Sequence, residues 1–127
     1  MKKYLFVGML LVGLAGTSFA SAKENNVAQE NVLNLIQAID YSSQSFVKKP
    51  IFKGENYLVI LFAFEKGQEL TAHTIPIDAF VQILEGTAIV IIDGNEYEVA
   101  AGEKISLPKN LPHALRAKEN FKMLLIK

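Results

Sequence analysis

The sequence contains no cysteine among its 127 residues. This absence excludes disulfide bonds, CxxC metal or redox motifs and lipid attachment at a cysteine. A domain without such cross-links must derive its stability from a hydrophobic core. The roughly 105 residues that follow the N-terminal leader are enough to bury one, since chains of that size hide somewhat over 60% of their unfolded surface.

An excess of positive charge is also missing. The chain carries 13 basic and 13 acidic residues, and removal of Lys2 and Lys3 with a leader would leave 11 against 13, or about −2. Nucleic acids and anionic membrane surfaces bind clustered Lys and Arg, so we expect neither as a partner. The sequence also lacks a phosphate-binding loop and a Gly-x-Ser-x-Gly nucleophile motif.

The apolar run near the N-terminus is short. Met1-Lys2-Lys3 precedes 13 uncharged residues, "YLFVGMLLVGLAG", and small residues then end at Ala20 or Ala22. A spanning helix needs about 20 apolar residues, so this layout predicts a secretory signal peptide at 1–20, with 22 as the alternative end. The alternative interpretation is a short membrane anchor. We expect a periplasmic or secreted protein with no stable membrane insertion after cleavage.

Two further segments follow. Residues 21–50 are predicted to be a polar leader and a short amphipathic helix, because apolar residues in 30–40 recur at helical spacing. Residues 51–127 are predicted to be a β-domain of many short strands, and Asp93-Gly94 is a strong hairpin signal. The strand "YLVILFAFE" is apolar on both faces, which suggests a cover on each side and therefore a homodimer.

Two stretches of this β-domain resemble the paired motifs of the cupin superfamily. "GQELTAHTIPIDAFVQILEG" has Gly67, His73 and Gly86 at the spacing of the first motif, and "GEKISLPKNLPHALRA" has Gly102, Pro108 and His113 at that of the second. The chain is most similar to small single-domain cupins. The resemblance implies an all-β double-stranded β-helix, the jelly-roll barrel, over about residues 55–127.

The metal-ligand set of the family is incomplete here. Of its four ligand positions only His73 and His113 match, while Ile75 stands for the second His and Ala79 for the Glu. Asn110 replaces a glycine, which Asn tolerates because it adopts left-handed turns. Glu69 lies four residues before His73, and strand alternation would place both on one face. The hypothesis is therefore a weak divalent metal site (Zn, Fe, Mn or Ni) on the two histidines, with Glu69 as a third ligand.

The preferred interpretation is a non-catalytic pocket that binds a small, partly apolar molecule in the barrel. Its expected lining is His73, His113, Ile75, Val81, Ile83 and Met123, with Leu61 and Ala63 as weaker candidates. A metal-dependent cupin enzyme, such as a dioxygenase or isomerase, is the alternative. Each histidine could instead simply bond a backbone carbonyl near a turn. Lys122 is expected at the surface, because it alternates with Phe121 and Met123.

Overall fold

The computed structural model describes residues 32–127. The predicted signal peptide and the predicted polar leader at residues 21–29 lie outside the described residues. Within the described part the chain forms nine strands in the order β1 (Val47–Lys53), β2 (Leu58–Phe64), β3 (Glu69–His73), β4 (Ala79–Glu85), β5 (Thr87–Ile92), β6 (Asn95–Ala100), β7 (Lys104–Leu107), β8 (His113–Ala117) and β9 (Phe121–Ile126). No helix in this range is long and apolar enough to cross a bilayer.

The strands form two antiparallel sheets. One has five strands in the order β1-β2-β9-β4-β7, and the other has four in the order β3-β8-β5-β6. Neighbours in a sheet are rarely neighbours in sequence, as in a jelly roll. The predicted all-β double-stranded β-helix is therefore confirmed.

Aromatic rings and aliphatic side chains fill the space between the sheets. Phe64 and Phe121, both fully buried, stack with centroids 4.7 Å apart, and Phe46 stacks on Phe64 at 4.8 Å. Ile60, Phe62 and Phe64 of β2 belong to this core. Alternation along the strand then places Leu61 and Ala63 on the outer face. The expectation that these two residues line the barrel interior was wrong.

The outer face of β2 is covered by residues 35–42, which we call the strap. Ile39 of the strap is 3% exposed and packs in a second buried cluster with Leu61 and Ala63. The apolar character of both faces of β2 thus has an explanation within one chain. The homodimer stays a prediction, but this strand no longer requires it.

The strap is not the amphipathic helix that its spacing suggested. Residues 35–38 form a single turn, and no helix occurs between residues 32 and 40, while 30 and 31 lie outside the described residues. Lysine side chains bind the carbonyl oxygens of Ile36 and Ala38. Of the apolar residues in this segment, Ile39 and Leu35 pack against the sheet, whereas Val32, Leu33 and Ile36 are exposed.

Lys122 supplies one of these lysine contacts, so its predicted surface position was wrong. The residue is 8% exposed and donates to the Ile36 carbonyl. Its Nζ lies 3.8 Å from the Glu85 carboxylate and 5.0 Å from the centroid of the Tyr41 ring. Alternation correctly placed Lys122 on the face of β9 opposite to that of Phe121 and Met123. This outer face is buried because the strap covers it.

The turns follow the sequence signals. Asp93 and Gly94 have φ angles of 50° and 84° and form the two-residue connection between β5 and β6. Positive φ at both positions is what a type I′ hairpin turn needs. Asn110 has φ of 64°, so it takes the left-handed conformation expected where the family motif has glycine.

Candidate functional site

His73 and His113 lie directly opposite each other on the neighbouring strands β3 and β8. Their ring centroids are 4.5 Å apart and the ring planes meet at 63°, an edge-to-face arrangement. His113 shares its strand face with Leu115, which is 2% exposed and belongs to the core. The pair therefore sits on the inner side of the four-stranded sheet.

A β-bulge brings His73 to this face. Leu70 pairs with Leu115 and His73 with His113, so three positions on β3 match two on β8, and the register shifts between Leu70 and His73. An extra residue of this kind reverses the alternation beyond it. Leu70 and His73 consequently share the inner face, which strict alternation would forbid.

Backbone carbonyls fix the orientation of both imidazoles. Nδ1 of His73 lies 3.0 Å from the Thr71 carbonyl oxygen, and Nδ1 of His113 lies 3.2 Å from that of Leu111. A carbonyl can only accept, so Nδ1 carries the proton in each ring. In the neutral form of either ring, Nε2 then has a free lone pair and can accept a hydrogen bond.

The two histidines differ in exposure. His113 is 4% exposed, whereas His73 is exposed to solvent. Burial lowers the pKa of His113, the Leu111 carbonyl raises it to a lesser degree, and proximity to His73 lowers it further. The inner ring is thus held in its neutral, accepting form.

The rings line a small cavity of about 40 Å³ in the barrel. Apart from the two imidazoles and Lys127 its walls are apolar. They are formed by Phe62, Leu70, Ile75, Val81, Leu107, Leu115, Met123 and Leu125.

Five of the six predicted site residues line this cavity: His73, His113, Ile75, Val81 and Met123. Ile83 does not, and it is fully buried in the core. The sequence analysis missed Phe62, although the alternation of β2 could have found it once the inner face was chosen. Leu70 was not predicted, because the bulge places it on the same face as His73 against the strict alternation. Leu107 and Leu115 both lie within the second motif, and alternation from His113 could have identified Leu115.

Glu69 does not join the histidines. It pairs with Arg116 in the sheet, next to Leu70 on the strand and therefore on the outer face, and it is exposed. The bulge is the physical reason, because it breaks the alternation that was used to place Glu69 beside His73. The idea of Glu69 as a third metal ligand is therefore corrected.

The residues at the family's metal position do not form a metal site. Within residues 32–127 no group of three or more His, Cys, Asp or Glu side chains could hold an ion. Ile75 lines the cavity and Ala79 is buried in the core, and neither has a donor atom. Zinc and iron sites in proteins usually take at least three protein ligands, so the two imidazoles alone do not fit such a metal.

Solved structures share this architecture. A conserved protein of unknown function from Streptococcus pyogenes is 38% identical, with 75% of this chain and 83% of that chain covered and a TM-score of 0.70. An RmlC-like cupin protein from Desulfovibrio desulfuricans is 30% identical, over 75% of this chain and 92% of that one, with a TM-score of 0.69.

A cupin 2 conserved barrel domain protein from Leptotrichia buccalis is also 38% identical, with a TM-score of 0.70. The match covers 74% of this chain and 46% of that one, so the present chain spans about half of that protein. No functionally curated protein matches the sequence. The family model described as "Cupin domain" matches residues 60–127, which hold both histidines, most of β2 and all of β3 to β9. The chain therefore belongs to the cupin family.

Proposed function

We propose that this protein is an exported cupin that binds a small, partly apolar molecule in its barrel without catalysing a reaction. The observation that carries the proposal is the His73–His113 pair on the wall of an otherwise apolar cavity. A concave apolar site with few polar groups is the usual form of a small-molecule site. Export is supported by the signal-like layout of residues 1–22.

The size of the cavity limits the ligand. About 40 Å³ is far below the roughly 300–1,000 Å³ of pockets for drug-sized molecules. A single water needs about 10–15 Å³ on the same measure, so the enclosed part of a ligand contains only a few non-hydrogen atoms. The ligand is a very small molecule, or a larger one that inserts only a small head.

The histidines specify the chemistry of that head. Since Nδ1 of each ring is bonded to a carbonyl, Nε2 is the atom left to contact a ligand, and it accepts. The matching group is a hydroxyl or N–H donor on an apolar body. Catalysis is not part of the proposal, because no group of three or more His, Cys, Asp or Glu side chains occurs within residues 32–127 to hold a metal beside the two imidazoles.

Propan-2-ol and acetone are matched probes for this proposal, because they share a three-carbon skeleton and a similar size, and only the alcohol donates a hydrogen bond. We expect propan-2-ol, and not acetone, to shift the Nε2 resonances of both histidines in ¹⁵N-detected imidazole spectra. The affinity should be weak, since small ligands gain at most about 1.5 kcal/mol per non-hydrogen atom.

His73→Ala and His113→Ala should each reduce the shift of the remaining ring. Gln82→Ala is the control, because Gln82 does not line the cavity. Equal responses to acetone and propan-2-ol, or the same response in the histidine variants, would refute the binding site. Stoichiometric zinc in protein purified without an affinity tag would instead support the metal-dependent alternative.

A further inference from the structure

Lys127 continues the inner face of β9 beyond the last residue of that strand. Its N–H donates to the Leu58 carbonyl oxygen at 3.1 Å, and its carbonyl oxygen accepts from the Leu58 N–H at 2.7 Å. The ladder between β2 and β9, in which Leu125 pairs with Ile60, thus continues in register. Alternation then places the Lys127 side chain on the same face as those of Met123 and Leu125, which line the histidine cavity.

This lysine brings a positive charge to the wall of that cavity. Besides the two imidazoles, Lys127 is the only polar residue among those that line it. Lys127 is half-buried, and within residues 32–127 its ammonium forms no ion pair with a carboxylate. An ammonium that is partly withdrawn from water gains from a charged acceptor, and the protein supplies none. The unmatched charge therefore fits an anionic group on the ligand.

The position of Lys127 allows a ligand group bound to it to stay partly in water. The residue also borders two open clefts at the end of the barrel where β9 ends and β2 begins. It shares one cleft with Asp78 and Phe80 and the other with Tyr57 and Ile77. Lys127 thus lies where the enclosed cavity meets the surface. An anion at this point keeps part of its hydration, so its desolvation cost is smaller than it would be inside the barrel.

We propose that Lys127 selects an anion, so that the cavity takes a short hydroxy acid. The hydroxyl of the ligand donates to Nε2 of an imidazole, and its carboxylate accepts from the Lys127 ammonium. This inference rests on the proposed binding function and adds the charge of the ligand to it. A cavity of about 40 Å³ has both kinds of group on its wall, so the hydroxyl and the carboxylate are only a few bonds apart.

Lactate and lactamide are matched probes, because they are similar in size and carry the same hydroxyl, and only lactate is charged. Titrations at pH 8 keep the imidazoles neutral, since the usual pKa of histidine is about 6.5. We expect the ¹⁵N imidazole shifts of His73 and His113 to give an affinity about fivefold higher for lactate, as an ion pair of about 1 kcal/mol supplies. Lys127→Met should abolish this preference, and Lys127→Arg should retain it.

Lys109→Met is the control for net charge, because Lys109 is exposed and does not line the cavity. It should bind lactate as the wild type does. Equal affinities for the two probes in the wild type, or a preference that survives Lys127→Met, would overturn the role of Lys127. A response to propan-2-ol would then leave the binding function intact. Absence of any response to propan-2-ol, lactate and lactamide would instead refute the binding function, and this inference with it.

Discussion

His113 is 4% exposed, while His73, whose ring centroid is 4.5 Å away, lies open to solvent. The two rings are chemically alike and face each other across one pair of strands, but only the inner one is removed from water. Because it is buried, His113 is harder to protonate than a histidine in water, and the first prediction follows from this difference.

Stability should decline as the pH falls through 6.5. The usual pKa of histidine is 6.5, and burial lowers that of His113 in the folded state. The unfolded chain then binds the proton more tightly, so the stabilising contribution is complete above 6.5 and is lost as the pH falls toward the folded-state pKa. Urea titrations between pH 8 and 5 measure this slope, which should diminish in His113→Gln.

Removing His73 should raise the pKa of His113 only in part, because proximity to His73 is a smaller cause than burial. Proton NMR titration of His113 in the His73→Ala variant provides the measurement. A His113 pKa that returns fully to the ordinary range in that variant would contradict the dominant role of burial.

Lys122→Met should destabilise the fold by about 1.5–3 kcal/mol, because it removes a hydrogen bond from a buried charged donor. Lys118→Met is the matched control. Lys118 lies closer to its carboxylate, 2.7 Å from Glu98 against 3.8 Å for Lys122 and Glu85, but its pair is exposed. Exposed pairs contribute at most about 1 kcal/mol, so urea unfolding should show the smaller loss for Lys118→Met. Equal losses would show that burial beneath the strap is unimportant.

Gly86→Ala should be among the most destabilising glycine-to-alanine substitutions in the barrel. The residue has φ of +77°, and a Cβ there would lie 1.9 Å from the Asn120 carbonyl oxygen, so backbone must move. We expect a loss of at least about 3 kcal/mol. Gly102 has φ of +89°, and a Cβ added there would have no atom within 4 Å. Gly102→Ala should therefore lower the free energy of unfolding only by the strain of a left-handed alanine, about 1–2 kcal/mol. Thermal unfolding of the two variants makes the comparison, and similar melting temperatures would contradict the steric argument.

The signal-peptide prediction has a direct test. When the full chain is expressed in a bacterium, the exported form should begin at Ser21 or Lys23, as measured by intact mass. Replacing both Ala20 and Ala22 with Leu should block processing, since the peptidase reads small residues there. Recovery of an unprocessed chain from the cytoplasm of the wild-type strain would contradict export.

Local signals in the sequence were sufficient to predict much of the fold. The Asp93-Gly94 turn, the alternation of β9 and the spacing of the two motifs each depend on residues close together in the chain. The resemblance to the cupin motifs also implied that His73 and His113 share one barrel, and five of the six predicted residues line one cavity.

Two features were not predicted from the sequence, because they depend on tertiary structure. The bulge between Leu70 and His73 shifts one strand against another, and nothing in "ELTAH" marks it. Lys122 and the outer face of β2 are buried by a segment far away in sequence. Alternation identifies opposite faces of a strand, but it does not reveal which face a distant segment will cover.

The nearly filled barrel has a consequence for how such a protein changes its preferences. Met123 and Leu115 form part of the cavity wall and are almost wholly enclosed. Shortening either side chain would enlarge the space beside the imidazoles without moving a strand, at a cost in stability of about 2–5 kcal/mol. If the barrel binds a small molecule as proposed, the size of that molecule is therefore set by single aliphatic side chains, and the folding stability limits how far they can be shortened.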